Sequence, residues 1–188
     1  MPFFPSWPHE VAEDAIHRHI FAMNPKIFAP WLKVEGAVMR GDSAFTPGER
    51  ELIGGFTSRL NDCTVCASTH GEAAVVLGID PAALDGLMED IDTAPVRDAL
   101  KPVFHFVRKL TLTPYKMVQS DADKVFAAGW SERDLQDAIL VACVYSFMNR
   151  LVDGHGLPRD ASIFTRSGHR LATRGYVPAT DWADAAGE

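Results

Sequence analysis

The stretch TPGERELIGGFTSRLNDCTVCASTHGEA, residues 46–73, decides how the chain is read. Thr46, Pro47 and Glu49 combine an N-cap hydroxyl, a proline at the first helical position and a glutamate three residues after the cap. A helix from Pro47 to about Leu60 follows, with Leu52, Phe56 and Leu60 as its apolar stripe and Ile53 beside it. Gly54 and Gly55 sit in its middle, where each costs about 1 kcal/mol relative to alanine. Such a cost is offset where another helix must approach closely, and Glu51 borders that contact as a partly buried carboxylate. Asp62 is a candidate N-cap for a second helix, Cys63 to Leu77, with Gly78 just past its end.

Outward from this pair, helical punctuation recurs and the period-2 alternation of strands is almost absent, so the expected fold is an all-α bundle. Amphipathic segments are expected at Glu10–Met23 and Pro25–Met39. A short helix from Asp80-Pro81 to about Met88 follows, then one over Ala94–Leu110 with Pro102 as a kink or late start. A third, capped by Ser120 to Asp123, ends at Gly129. Ser131 to Asp134 repeats the capping box before AILVACVYSFMNRLV, which reads as a central buried helix with Cys143 in the core. Beyond Gly154 the chain turns polar, and from about residue 175 it reads as a tail or a clamp on a neighbouring subunit.

The 188 residues form one expected domain, 1–188, with its core at about 24–156; a chain 47% hydrophobic buries a core without staples. The net charge of -7 and the scattered lysines and arginines argue against nucleic acid or an anionic membrane as partner. No signal peptide is visible and no apolar run of about eighteen residues crosses a bilayer, which predicts a cytoplasmic protein. Three cysteines do not make a disulfide framework.

Cys63 and Cys66 stand one turn apart on one face, at the positive end of a helix, which favours a thiolate and permits a disulfide. His70 lies over the same face, four residues after Cys66, as the candidate base, with Glu51 as the carboxylate that orients it. This set can do thiol redox work: a thiolate attacks a hydroperoxide, becomes a sulfenic acid and condenses with the second thiol. Structural zinc is the competing reading, but Cys63, Cys66 and His70 supply at most three ligands and no second CxxC or HxxxH closes the site. No metal and no cofactor is therefore predicted. His17 and His19 fall on different helix faces, His105 reads as a satisfied, partly buried ring, and His155 lies in a turn. The four tryptophans read as core or interface anchors.

Glu51, Cys63, Cys66 and His70 in this spacing resemble the signature of the AhpD-like alkylhydroperoxidases, the peroxidase-related branch of the carboxymuconolactone decarboxylase family. The flanks NPKIFAPWLKVEGAVMRGDSAFTPGERELI and MNRLVDGHG are also similar, so the resemblance covers most of Asn24 to Gly156. It implies an all-α fold assembled into homo-oligomers and reduction of a small organic hydroperoxide. Cys66 would be the peroxide-reactive thiol, Cys63 its resolving partner, and Glu51 with His70 the proton relay. Where the best-known members carry a histidine just before the second cysteine, this chain has Val65. The thiol or dithiol reductant is not identified by the sequence. A general thiol–disulfide oxidoreductase, a lactone decarboxylase and a non-catalytic redox-sensing helical oligomer are the competing functions; the decarboxylation needs no cysteine pair.

Overall fold

The computed structural model describes residues 3–4, 16–157 and 161–176. Eight α-helices make up the described fold: α1 (Pro25–Arg40), α2 (Pro47–Leu60), α3 (Thr64–Val76), α4 (Ala83–Glu89), α5 (Lys101–Leu112), α6 (Gln119–Ala127), α7 (Glu132–Gly154) and α8 (Ala161–Arg174). No strand occurs among the described residues. The expected all-α architecture is therefore observed.

The capping signals explain where the central helices begin. Thr46 Oγ1 accepts from the Glu49 amide and Glu49 Oε2 accepts from the Thr46 amide, a closed box that starts α2 at Pro47. Ser131 and Asp134 form the same box at α7. α3 stops at a Schellman turn: Gly78, at φ 94°, donates to Val75 and Ile79 donates to Ala74. The paired glycines of α2 are met from two directions. A Cβ on Gly54 would lie 2.5 Å from the Tyr145 ring of α7, and one on Gly55 would lie 3.2 Å from the Gly71 amide of α3. α2 is thus gripped between α3 and α7, with Leu52, Ile53 and Phe56 essentially inaccessible. Each such side chain contributes about 1.5–3 kcal/mol of burial.

Several boundaries differ from the sequence expectation. The π-helical turn Ile16–Phe21 replaces the end of the first amphipathic segment, whose residues 10–15 lie outside the described ones. Asp62 is not the cap of α3: it adopts a left-handed φ of 57°, and Cys63 takes the N-cap place, its amide donating to Ser58 O. α6 begins a residue before Ser120, because Asp121 Oδ2 accepts from the Val118 amide and caps the helix start there, with no side-chain acceptor on Val118 to complete a box. Ala94–Arg97 is not helical; α5 starts late, with Pro102 in its first turn.

α7 corrects two readings. By length and composition it could cross a membrane, contrary to the expectation that no stretch could, yet half of its apolar window is buried within the fold, where it packs on α2 and α5. It is also not buried all round. Leu140, Cys143 and Phe147, spaced three and four residues apart, form an outward face, so Cys143 is exposed rather than a core residue.

The largest addition is α8, which the polar, Gly- and Thr-rich composition after Gly154 hid. It packs closely on α3 at Gly168, where a side chain would collide with the Thr69 carbonyl oxygen and with Glu72. Gly175, at φ 71°, then turns the chain so that Tyr176 returns over Gly36 of α1. The remainder of the expected tail lies outside the described residues, as do Trp7 and Trp182. Trp130 is a core anchor that donates to Ala99 O, and Trp31 packs against Phe147.

Candidate active site

Glu51 and His70 face each other across the α2–α3 interface. Glu51, with no measurable exposure, accepts from His70 Nδ1 at 2.6 Å through Oε2. Its Oε1 accepts from Arg40 Nη2 at 2.6 Å and from the Tyr176 hydroxyl at 3.2 Å. Burial opposes ionisation of this carboxyl, but the charge and hydrogen bonds of His70 and Arg40 outweigh it and hold Glu51 below the usual carboxylate range. With Nδ1 held against the carboxylate, Nε2 is the nitrogen that accepts a proton when the ring is neutral. The Tyr145 ring packs edge-on against His70 at 4.2 Å, and its hydroxyl pairs with that of Tyr176 at 2.6 Å.

Cys63 and Cys66 are free thiols and both are buried. Cys66, at the third position of α3, shares a hydrogen bond with Cys63 and another with Asn149. Asn149 is itself buried and fully oriented, accepting from Asn61 Nδ2 and donating to Ser58 Oγ, each at 2.9 Å. The expectation that the helix N-terminus lowers the thiol pKa fails at Cys66. The hydrogen bond with Cys63 comes first, then burial and the charge of Cys63; together they push the Cys66 thiol well up, and the Asn149 amide only partly offsets them. A protonated Cys66 needs a base, and His70 opens onto the same space.

That space is a cavity of about 90 Å³ bordered by Cys66 and His70 of α3, Leu32 and Glu35 of α1, Met148 of α7 and Leu171 of α8. Cys63 does not border it. It faces a separate cleft of about 610 Å³, lined by Arg59, Thr64, Ser68 and Asp85 among others. The two sulfurs therefore touch each other but look out on different sides of α3.

The four residues singled out in the sequence are all present in this one neighbourhood. Arg40, Asn149, Tyr145 and Tyr176, which complete it, were not anticipated. Gly54 carried the one available signal for Tyr145, because a mid-helix glycine predicts a bulky neighbour on another helix. Cys143 lies on the outward face of α7 and takes no part. His105 is exposed rather than partly buried, although satisfied by Asp92 Oδ1 at 2.9 Å. His155 caps α7, with Nδ1 bonded to Leu151 O and its ring stacked on Phe4. Among the described residues no three His, Cys, Asp or Glu side chains converge to hold a metal ion.

The fold has solved counterparts. The crystal structure of an uncharacterised peroxidase-related protein from Silicibacter sp. TM1040 superposes with a TM-score of 0.70 at 23% identity, covering 77% of this chain and 76% of that one. The alkylhydroperoxidase AhpD core of an uncharacterised peroxidase-related protein from Ralstonia eutropha JMP134 gives the same TM-score and identity, covering 85% of this chain and 80% of the other. The chain has the AhpD-like fold. Neither a protein-family model nor a curated protein matches the chain. Within the AhpD-like bundle, α2 and α3 supply Glu51, the cysteine pair and His70, while α1, α7 and α8 enclose them.

Proposed function

We propose that this AhpD-like protein is a thiol-dependent reductase of small organic hydroperoxides. The observation that carries this reading is the shared cavity of Cys66 and His70, with His70 fixed by a Glu51 that Arg40 keeps ionised. In this scheme His70 Nε2 takes the Cys66 proton, and the thiolate, steadied by Asn149, attacks the terminal oxygen of ROOH. The S–O bond forms as the O–O bond breaks, giving a Cys66 sulfenic acid and an alkoxide that is protonated to ROH. Cys63, already in contact with Cys66, then displaces hydroxide, which leaves as water, and a disulfide closes. An external thiol or dithiol restores the pair, so the reading places the protein in a reducing compartment such as the cytoplasm. The resemblance also extends the proposal to a homo-oligomer, which light scattering on the purified chain tests.

General disulfide exchange with proteins gains no support, since both cysteines are at most 4% exposed. The direct test is intact mass of the reduced protein before and after one equivalent of tert-butyl hydroperoxide, with peptide mapping. Loss of two hydrogens and a Cys63–Cys66 link is expected; inert thiols would overturn the reading.

A further inference from the structure

Glu35 is the polar exception on the inward face of α1. Phe28, Leu32, Glu35 and Met39 fall at the four-, three- and four-residue spacing of one buried stripe. A carboxyl at such a position is ordinarily paired, because an unpaired buried carboxylate costs several kcal/mol. Among the described residues none donates a hydrogen bond to Glu35, which is 5% exposed and borders the same cavity as Cys66 and His70.

Burial, then the negative Glu51, push its carboxyl up to about 8, with Arg40 pulling the other way. The phenols of Tyr145 on α7 and of Tyr176 after α8, bonded to each other, also face it, and Cys66 and His70 of α3 and Arg170 of α8 border the same cavity. Near neutrality Glu35 is thus a carboxylic acid with an uncommitted proton, aimed into the space where the peroxide would react.

Displacement at a peroxide oxygen places the attacking sulfur and the departing oxygen on opposite sides. Cys66 and His70 both belong to the α3 wall, so the departing alkoxide points away from α3. Glu35 stands on the α1 wall. Of the other polar groups bordering the cavity, the Tyr145 and Tyr176 phenols are committed to hydrogen bonds, Thr69 and Ser167 offer aliphatic hydroxyls far less acidic than a carboxyl, and Arg170 offers a guanidinium. We propose that Glu35 is a second catalytic acid, which protonates the alkoxide leaving group as Cys66 attacks the hydroperoxide. This inference rests on the hydroperoxide reductase reading of the site.

The balance is complete within one turnover. Cys66 sulfur is oxidised as the O–O bond is reduced, and ROH carries the Glu35 proton. The proton held by His70 leaves with the hydroxide as water when Cys63 attacks. The Cys63 proton makes good the one lost by Glu35. Dividing the work between two acids lets His70 keep its proton for the second step.

The test uses the reduced full-length chain in single turnovers with tert-butyl hydroperoxide and, separately, with peracetic acid, quenched by alkylation and read by intact mass at pH 7. Acetate departs without needing a proton, whereas the alkoxide does. Glu35→Gln is expected to slow oxidation by the hydroperoxide about 100-fold and to leave oxidation by peracetic acid near the unmodified rate. Equal slowing with both oxidants, or no slowing with the hydroperoxide, would overturn the role of Glu35. Unmodified protein inert to both would overturn the underlying reading itself, a distinguishable result. The unmodified protein supplies a second check that does not depend on the variant folding: its hydroperoxide rate should decline above pH ~8 by about tenfold per pH unit, and a rate that only rises would refute the proposal.

Discussion

Glu51 on α2 and Glu35 on α1 are carboxylates buried beside one another, and their surroundings drive them in opposite directions. Around Glu51 every oxygen is met: Arg40, His70 and Tyr176 converge on it, and the group stays ionised. Around Glu35 no hydrogen-bond donor is found among the described residues, and the ionised neighbour makes a second charge harder to bear. Burial alone therefore does not set a carboxyl's state; the donors supplied by neighbouring helices do. One carboxyl thus stays charged behind His70, while the other keeps its proton at the cavity wall.

The contrast can be broken most severely at Glu51. Glu51→Gln leaves Arg40 and His70 facing an amide inside the protein, and loss of about 3–5 kcal/mol in urea unfolding is expected. Hydroperoxide consumption should fall by about 10²–10⁴-fold in the same variant. Retention of both would remove Glu51 from any organising role.

The next effect separates the two carboxyls by pH. The Glu35 pKa is raised in the fold, so the unfolded chain releases that proton first, and stability should fall as pH rises from about 4.5 to about 8. The slope from this one group is about 1.4 kcal/mol per pH unit. Glu51 acts with the opposite sign: its pKa is depressed in the fold, so its contribution is present above its ordinary value and is lost as pH falls through the folded one. Chemical denaturation across this range should show the fall toward alkaline pH in the unmodified chain and its disappearance in Glu35→Gln. An unchanged slope would mean that Glu35 is paired after all.

Smaller again is Tyr176→Phe. It removes the hydroxyl between Glu51 Oε1 and Tyr145 and strands the Tyr145 phenol, a cost of about 1–3 kcal/mol measurable by thermal melting. The smallest effect belongs to Cys143→Ser: the thiol is exposed on the outer face of α7, and mass spectrometry should find the same hydroperoxide stoichiometry as in the unmodified protein.

How much of this was readable before the fold is explained by distance along the chain. The capping box at Thr46, the glycine pair and the Cys-x-x-Cys-x3-His spacing are local patterns, and they located α2, α3 and the four residues now found together. Arg40, Asn149 and Tyr176 carry no local signal. Arg40 is the last residue of a helix, where a basic side chain is ordinary. Asn149 sits in a run otherwise read as core, and Tyr176 follows a helix whose Gly168 lowers its intrinsic propensity while permitting its contact with α3. Glu35 was hidden because a single acid in an amphipathic helix looks solvated until the stripe it belongs to is known to face inward. The lowered thiol pKa expected from the helix terminus failed for a related reason, since the neighbouring thiol and burial outweigh the dipole at Cys66.

The placement of α8 has a further consequence. Ser167, Arg170 and Leu171 form part of the cavity wall, yet the cysteines, His70 and Glu51 all lie on α2 and α3, more than ninety residues earlier in the chain. Under the proposed function, part of the wall that a substrate meets is therefore encoded apart from the residues assigned to the sulfur chemistry. Exchanging the α8 segment between relatives should then change which molecules enter while Glu51, Cys63, Cys66 and His70 stay as they are.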